Sequence, residues 1–81
     1  VNTDRAREIL NDALAELAPE VDLAGLDPTA SLRDQADLDS VDFLELVSQL
    51  SGAVQTDIPE DDYDQLDTVD GAVAYLAAKL P

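Results

Sequence analysis

The run Asp39-Ser40-Val41-Asp42-Phe43-Leu44-Glu45-Leu46-Val47 places a hydroxyl at the start of a helical pattern, with carboxylates on both sides. A serine there has two uses. It can cap the helix, or it can carry a phosphate ester where free N–H groups and the helix dipole favour negative charge. Asp39 suits the cap equally well, so Ser40 is not required for it, but the residues alone still favour a cap over an attachment site. With no His and no Cys, the chain has no imidazole base, no thiol nucleophile and none of the usual zinc ligands. No nucleophile, base and oxyanion donor converge in the sequence, so neither catalytic residues nor metal ligands are expected. Thiol chemistry would need an added group. The many aspartates do not make a calcium loop either. Counting from Asp37, the fifth and sixth positions are Val41 and Asp42, and counting from Asp57 no suitable Gly follows.

At about 100° per residue, the helix that begins near Ser40 has two apolar sides. Phe43, Leu46, Val47, Leu50 and Val54 form one, which reads as core. Val41, Leu44 and Ser48 lie on the opposite side, with Asp42, Glu45 and Gln49 beside them. A helix apolar on two faces is either deeply buried or binds something. An 81-residue chain buries only a modest core. Val41, Asp42, Leu44 and Glu45 therefore read as a docking surface, an apolar centre with acids that steer basic partners to it. The competing reading is ordinary packing of Val41 against the preceding loop.

Charge narrows the partners. The net charge is −15, and between Asp34 and Ala78 there are twelve acids and no base. Such a surface repels nucleic acid and anionic membrane and attracts basic protein patches. No run is long and apolar enough to span a membrane or serve as a signal peptide, which leads to an expected cytoplasmic location. Acidic chains with few aromatics are often disordered, but the regular apolar spacing predicts a folded single domain over residues 1–81.

The elements that must position Ser40 are helical. Ala6, Ile9, Leu10, Ala13, Leu14 and Leu17 recur on one face of a first helix that Thr3 can cap and Pro19 ends. Glu20 to Asp39 has no sustained period and predicts a long loop with a turn near Val21 to Leu26, anchored by Val21, Leu23, Leu26 and Leu32. The helix from about Ser40 runs to Val54, with fraying expected near Gly52. A short helix over Glu60 to Leu66 faces Tyr63 and Leu66 inward. Asp67 or Thr68 then caps a final helix with a stripe of Val69, Ala72, Val73, Leu76, Ala77 and Leu80. Within it, Gly71 is expected to cost about 1 kcal/mol against Ala. The predicted architecture is all-α: a small four-helix bundle with a long loop between its first two helices and a short third helix.

Three blocks carry a family resemblance. Asp39-Ser40-Val41 with Asp42, Glu45, Leu46 and Val47 resembles the phosphopantetheine attachment motif of acyl carrier proteins, usually Asp-Ser-Leu or Asp-Ser-Met. Asp57-Ile58-Pro59-Glu60 is similar to the family's acidic-Ile-Pro-acidic step. Leu66-Asp67-Thr68-Val69 with Ala72-Val73-Ala74-Tyr75-Leu76 resembles its final helix. The resemblance covers about residues 3 to 80. It implies that Ser40 accepts 4'-phosphopantetheine from coenzyme A through a phosphopantetheinyl transferase. Asp39 would help position that enzyme's metal ion, and Val41, Asp42, Leu44 and Glu45 would meet partner enzymes. The chain would then be a monomeric, non-catalytic carrier of acyl thioesters in fatty-acid, specialised lipid or polyketide biosynthesis, serving acyl-loading and acyl-transferring enzymes with basic docking patches.

Departures refine this expectation. Ala36-Asp37 stands where many fatty-acid carriers have Leu-Gly, Ser51-Gly52-Ala53 where they have acids, and Ser48 where a Met is common. The loop between Leu17 and Ser31 looks longer. These changes point to a dedicated carrier of a specialised lipid or polyketide-like pathway rather than of housekeeping fatty-acid synthesis. Phe43 and Tyr63 stand where the family often has smaller residues, which predicts a narrower or shifted acyl pocket. An aminoacyl or peptidyl carrier uses the same attachment chemistry and is the nearest alternative. An acidic helical adaptor without a prosthetic group is the other.

Overall fold

Apolar side chains at helical spacing bury one face of the first helix, α1 (Asn2–Leu17), through Ala6, Ile9, Leu10, Ala13 and Leu14. The computed structural model describes residues 2–80. In it α1 already includes Asn2, so Thr3 lies in the first turn and is not the cap expected for it. The Ala18 N–H still bonds to the Leu14 carbonyl at 2.8 Å, and Pro19, with no N–H to donate, ends the helix.

The segment that follows is pinned at both ends. A 3₁₀ turn over Leu23–Gly25 is capped by Asp22, whose side chain accepts from the Ala24 N–H at 3.1 Å. Leu23 and Leu32 are buried, while Val21 and Leu26 pack against the core from its edge. All four expected anchors are used. The loop also contains a helix the sequence reading missed, α2 (Leu32–Ala36). Five residues make little more than one turn, too short to display a hydrophobic period. The signal that was present is Ser31 with Asp34 three residues on: the Ser31 hydroxyl accepts from the Asp34 N–H at 3.3 Å. Asp37 ends α2 in the left-handed region, at φ 55°. Glycine occupies that region most cheaply, and Asp is among the few other residues that tolerate it.

Helix α3 (Ser40–Val54) and the final helix α4 (Val69–Lys79) both pack on α1. Leu10, Leu14, Leu32, Leu46, Leu50, Leu66 and Leu76 have at most 1% of their surface exposed, and this single apolar cluster holds the elements together. Fraying of α3 near Gly52 does not occur. The helix continues to Val54 and is closed by Gln55, in the left-handed region at φ 55°. The expected short helix over Glu60–Leu66 is present and is 3₁₀ rather than α.

Helix α4 differs from expectation at two residues. Tyr75, off the predicted stripe, is buried, and its hydroxyl donates to Asp62 Oδ2 at 2.7 Å. Burial, and then that bond, push its phenol up to about 12. Gly71 was expected only to weaken the helix. A β-carbon there would overlap the Gln65 carbonyl oxygen and lie 2.8 Å from Thr68 Oγ1. The missing side chain lets the end of the 3₁₀ helix close onto α4.

Candidate functional site

Local chemistry at the start of α3 decides which residue caps it. Asp39, in extended conformation, caps the helix: its Oδ1 accepts from the Asp42 N–H at 2.8 Å. Ser40 is the first helical residue and is exposed. Its hydroxyl is therefore left to solvent at the positive end of a 15-residue helix. A phosphodiester fits there: the oxygen is accessible, the cap does not depend on it, and the dipole favours the added charge.

The outer face of α3 stands clear of the fold. Val41 is 73% exposed and Leu44 52% exposed, the two large apolar side chains left in water among the described residues. Glu45 is exposed beside them and Asp42 is half-buried. Packing of Val41 against the preceding loop is overturned, because that loop is tied elsewhere. The Leu32 N–H bonds to the Asp67 carbonyl at 2.6 Å, and the Asp70 N–H bonds to the Pro28 carbonyl at 3.0 Å. All four expected docking residues thus share the first turns of α3 with Ser40.

Beside Ser40 lies a depression of about 470 Å³, open to solvent. Leu44, Phe43 and Tyr63 form its apolar part, and Glu60, Asp64 and Arg33 supply its charges. Phe43 and Tyr63 meet edge to face, with centroids 6.3 Å apart and planes at 79°.

Arg33 and Asp67 were not expected here. Arg33 Nε donates to Asp67 Oδ1 at 3.0 Å and Nη2 donates to Oδ2 at 3.2 Å. The Ser31 hydroxyl adds a bond to Asp67 Oδ2 at 3.0 Å, and the Arg33 N–H one to Oδ1 at 3.3 Å. The guanidinium carbon lies 4.6 Å from the centroid of the Phe43 ring. Burial raises the Asp67 carboxyl, but the bonds from Arg33 and Ser31 outweigh it and hold the group below the ordinary aspartate range. Thr68, not Asp67, caps α4 through the Gly71 N–H at 2.9 Å, which leaves Asp67 free for this pair. The partners are 34 residues apart, and no local spacing announces them.

An exposed hydroxyl on a helix N-terminus, flanked by an acidic-apolar face and mounted on a small helical bundle, suits a domain that carries a phosphate-linked group. The family model described as "Phosphopantetheine attachment site" matches residues 5–76. The acyl carrier protein of Rubrobacter xylanophilus is 33% identical over 72 residues, covering 89% of this chain and 83% of that protein. The chain belongs to the acyl carrier protein family, whose prosthetic group is 4'-phosphopantetheine.

Proposed function

We propose that Ser40 is the attachment residue, and that the chain holds acyl intermediates as thioesters on a 4'-phosphopantetheine arm and presents them to partner enzymes of a specialised lipid or polyketide-like pathway. The observation that carries this reading is the division of labour at the start of α3: Asp39 caps the helix while the neighbouring hydroxyl is exposed and uncommitted. The arm contributes the thiol that this cysteine-free chain lacks. The chain's own residues contribute position and recognition. The N-terminus of α3 steadies the phosphodiester charge. Val41 and Leu44 give partners an apolar anchor, and Asp42 and Glu45 guide basic patches toward it. Asp39, next to Ser40 in sequence, would help orient the transferase's metal ion, as the family resemblance implies.

A specialised pathway is supported by the departures around the motif. Asp37 takes the left-handed turn that glycine makes most cheaply, and Ser48, Gly52 and Ala53 leave the later part of α3 without a carboxylate on its exposed positions. Incubation with coenzyme A, magnesium and a broad-specificity transferase, followed by intact mass, is the decisive experiment. The chain should gain one phosphopantetheine and Ser40→Ala should gain none. Failure of every transferase tried, including one from the native host, would overturn the assignment, as would a gain retained by Ser40→Ala. For the pathway, a housekeeping fatty-acid synthase ketosynthase should elongate the loaded chain poorly.

A further inference from the structure

We infer that Arg33, clamped by Asp67 over the face of Phe43, closes the floor of the depression beside Ser40, so that cargo stays on the surface and the carrier is specific for short or polar acyl groups. This deepens the carrier reading and rests on it.

The closure has three layers. Phe43 is 4% exposed and belongs to the same apolar cluster as Leu46, Leu50, Leu66 and Leu76, which have no exposed surface. Over the Phe43 ring lies the Arg33 guanidinium, and the Tyr63 ring meets it edge to face. The Arg33 side chain is itself 42% exposed, and swinging it off the ring would break its bonds to Asp67. Two of its nitrogens are bonded to Asp67, which is fixed in turn by Ser31 and by the Arg33 backbone. An alkyl chain entering the core from the Ser40 side would have to displace an aromatic ring and the cation above it. That would leave the Asp67 carboxylate, only 21% exposed, without its charged partner.

The rest of the depression favours water. Glu60 and Asp64 line it, and it is open to solvent. A long cargo would touch only the exposed apolar edge of Leu44 and Tyr63, and most of its methylenes would remain hydrated. A short acyl group, or one bearing hydroxyl, carbonyl or amino substituents, loses nothing by staying outside. Arg33, Phe43 and Tyr63 are the specificity-determining residues, and Asp67 positions the first of them.

The test compares acetyl-loaded and octanoyl-loaded chain by methyl NMR and thermal unfolding. Methyl shifts of Leu46, Leu50, Leu66 and Leu76 should coincide in the two forms, with equal Tm. In the Arg33→Ala/Tyr63→Ala double variant, octanoyl should move those methyls and raise Tm above the acetyl form. Octanoyl-dependent shifts in the unsubstituted chain would overturn the closure. So would a folded double variant that still excludes octanoyl. If the double variant does not fold, the unsubstituted chain alone decides. Should no transferase load Ser40, the carrier reading fails separately. The closure is then tested on Ser40→Cys, a unique thiol in this cysteine-free chain, by comparing methyl and octyl disulfides with the same readouts. Coincident shifts support the closure, and octyl-dependent core shifts overturn it.

Discussion

The two sides of α3 carry similar residues and do opposite things. On the inner side, Phe43, Leu46, Val47, Leu50 and Val54 are each at most 7% exposed. On the outer side, Val41 and Leu44 stand 73% and 52% in water. Hydrophobicity alone does not separate the two sets. What separates them is supply: α1 and α4 offer one apolar stripe each, and the inner side of α3 meets that demand. No other segment among the described residues covers the outer side, and Val41 and Leu44 stay in water.

Substitutions on and around α3 can break or sharpen this contrast. The largest effect is expected from Leu46→Ala, fully buried on the inner side, which should cost about 2–5 kcal/mol in urea unfolding. An equal loss from Leu44→Ala would erase the distinction between the sides. Next is Gly71→Ala, where α4 closes on the Gln65 carbonyl. Overpacking should cost about 1–3 kcal/mol, whereas helix propensity alone would predict a gain of about 1 kcal/mol. The sign of the Tm change separates the two.

Asp67→Asn probes the rim between the sides, where Arg33 lies over Phe43. The pair is partly exposed, so the loss at neutral pH should be about 1 kcal/mol. Because the Asp67 pKa is lowered in the fold, its contribution is fully present at neutral pH. It fades as pH falls below the ordinary carboxylate range and through the lowered value. The difference in unfolding free energy between the unsubstituted chain and Asp67→Asn should shrink across that acid window. A constant difference would show that the carboxylate charge is not what matters. The smallest effect on stability, within about 0.5 kcal/mol, is expected from Val41→Ser with Leu44→Ser. The same pair should slow modification of Ser40 by a transferase about tenfold, as loss of an interface anchor does. Unchanged modification kinetics would remove the docking role.

How much of this was legible in sequence depended on range. Helices α1, α3 and α4 repeat their apolar spacing over several turns, so their faces could be read directly, as could Asp39 and Ser40 at the head of α3. Helix α2 is too brief to repeat anything. Tyr75 falls off its helix's stripe yet is buried, and Asp62, on the neighbouring 3₁₀ helix, accepts the hydrogen of its hydroxyl. Gly71 reads as a weak helix residue until the Gln65 carbonyl is seen against it.

The sequence by itself determined the helical class, the acidic surface and the hydroxyl at a helix start, since each depends on composition or on spacing within one element. Only the tertiary structure decided that Asp39 rather than Ser40 caps α3, that Val41 is uncovered, and that Arg33 reaches Asp67 across the fold. Those outcomes depend on which distant segments meet, and the chain's local patterns do not encode the meeting. Packing selects it by burying apolar surface, and in this fold it also brings the half-buried Arg33 and Asp67 together as a pair.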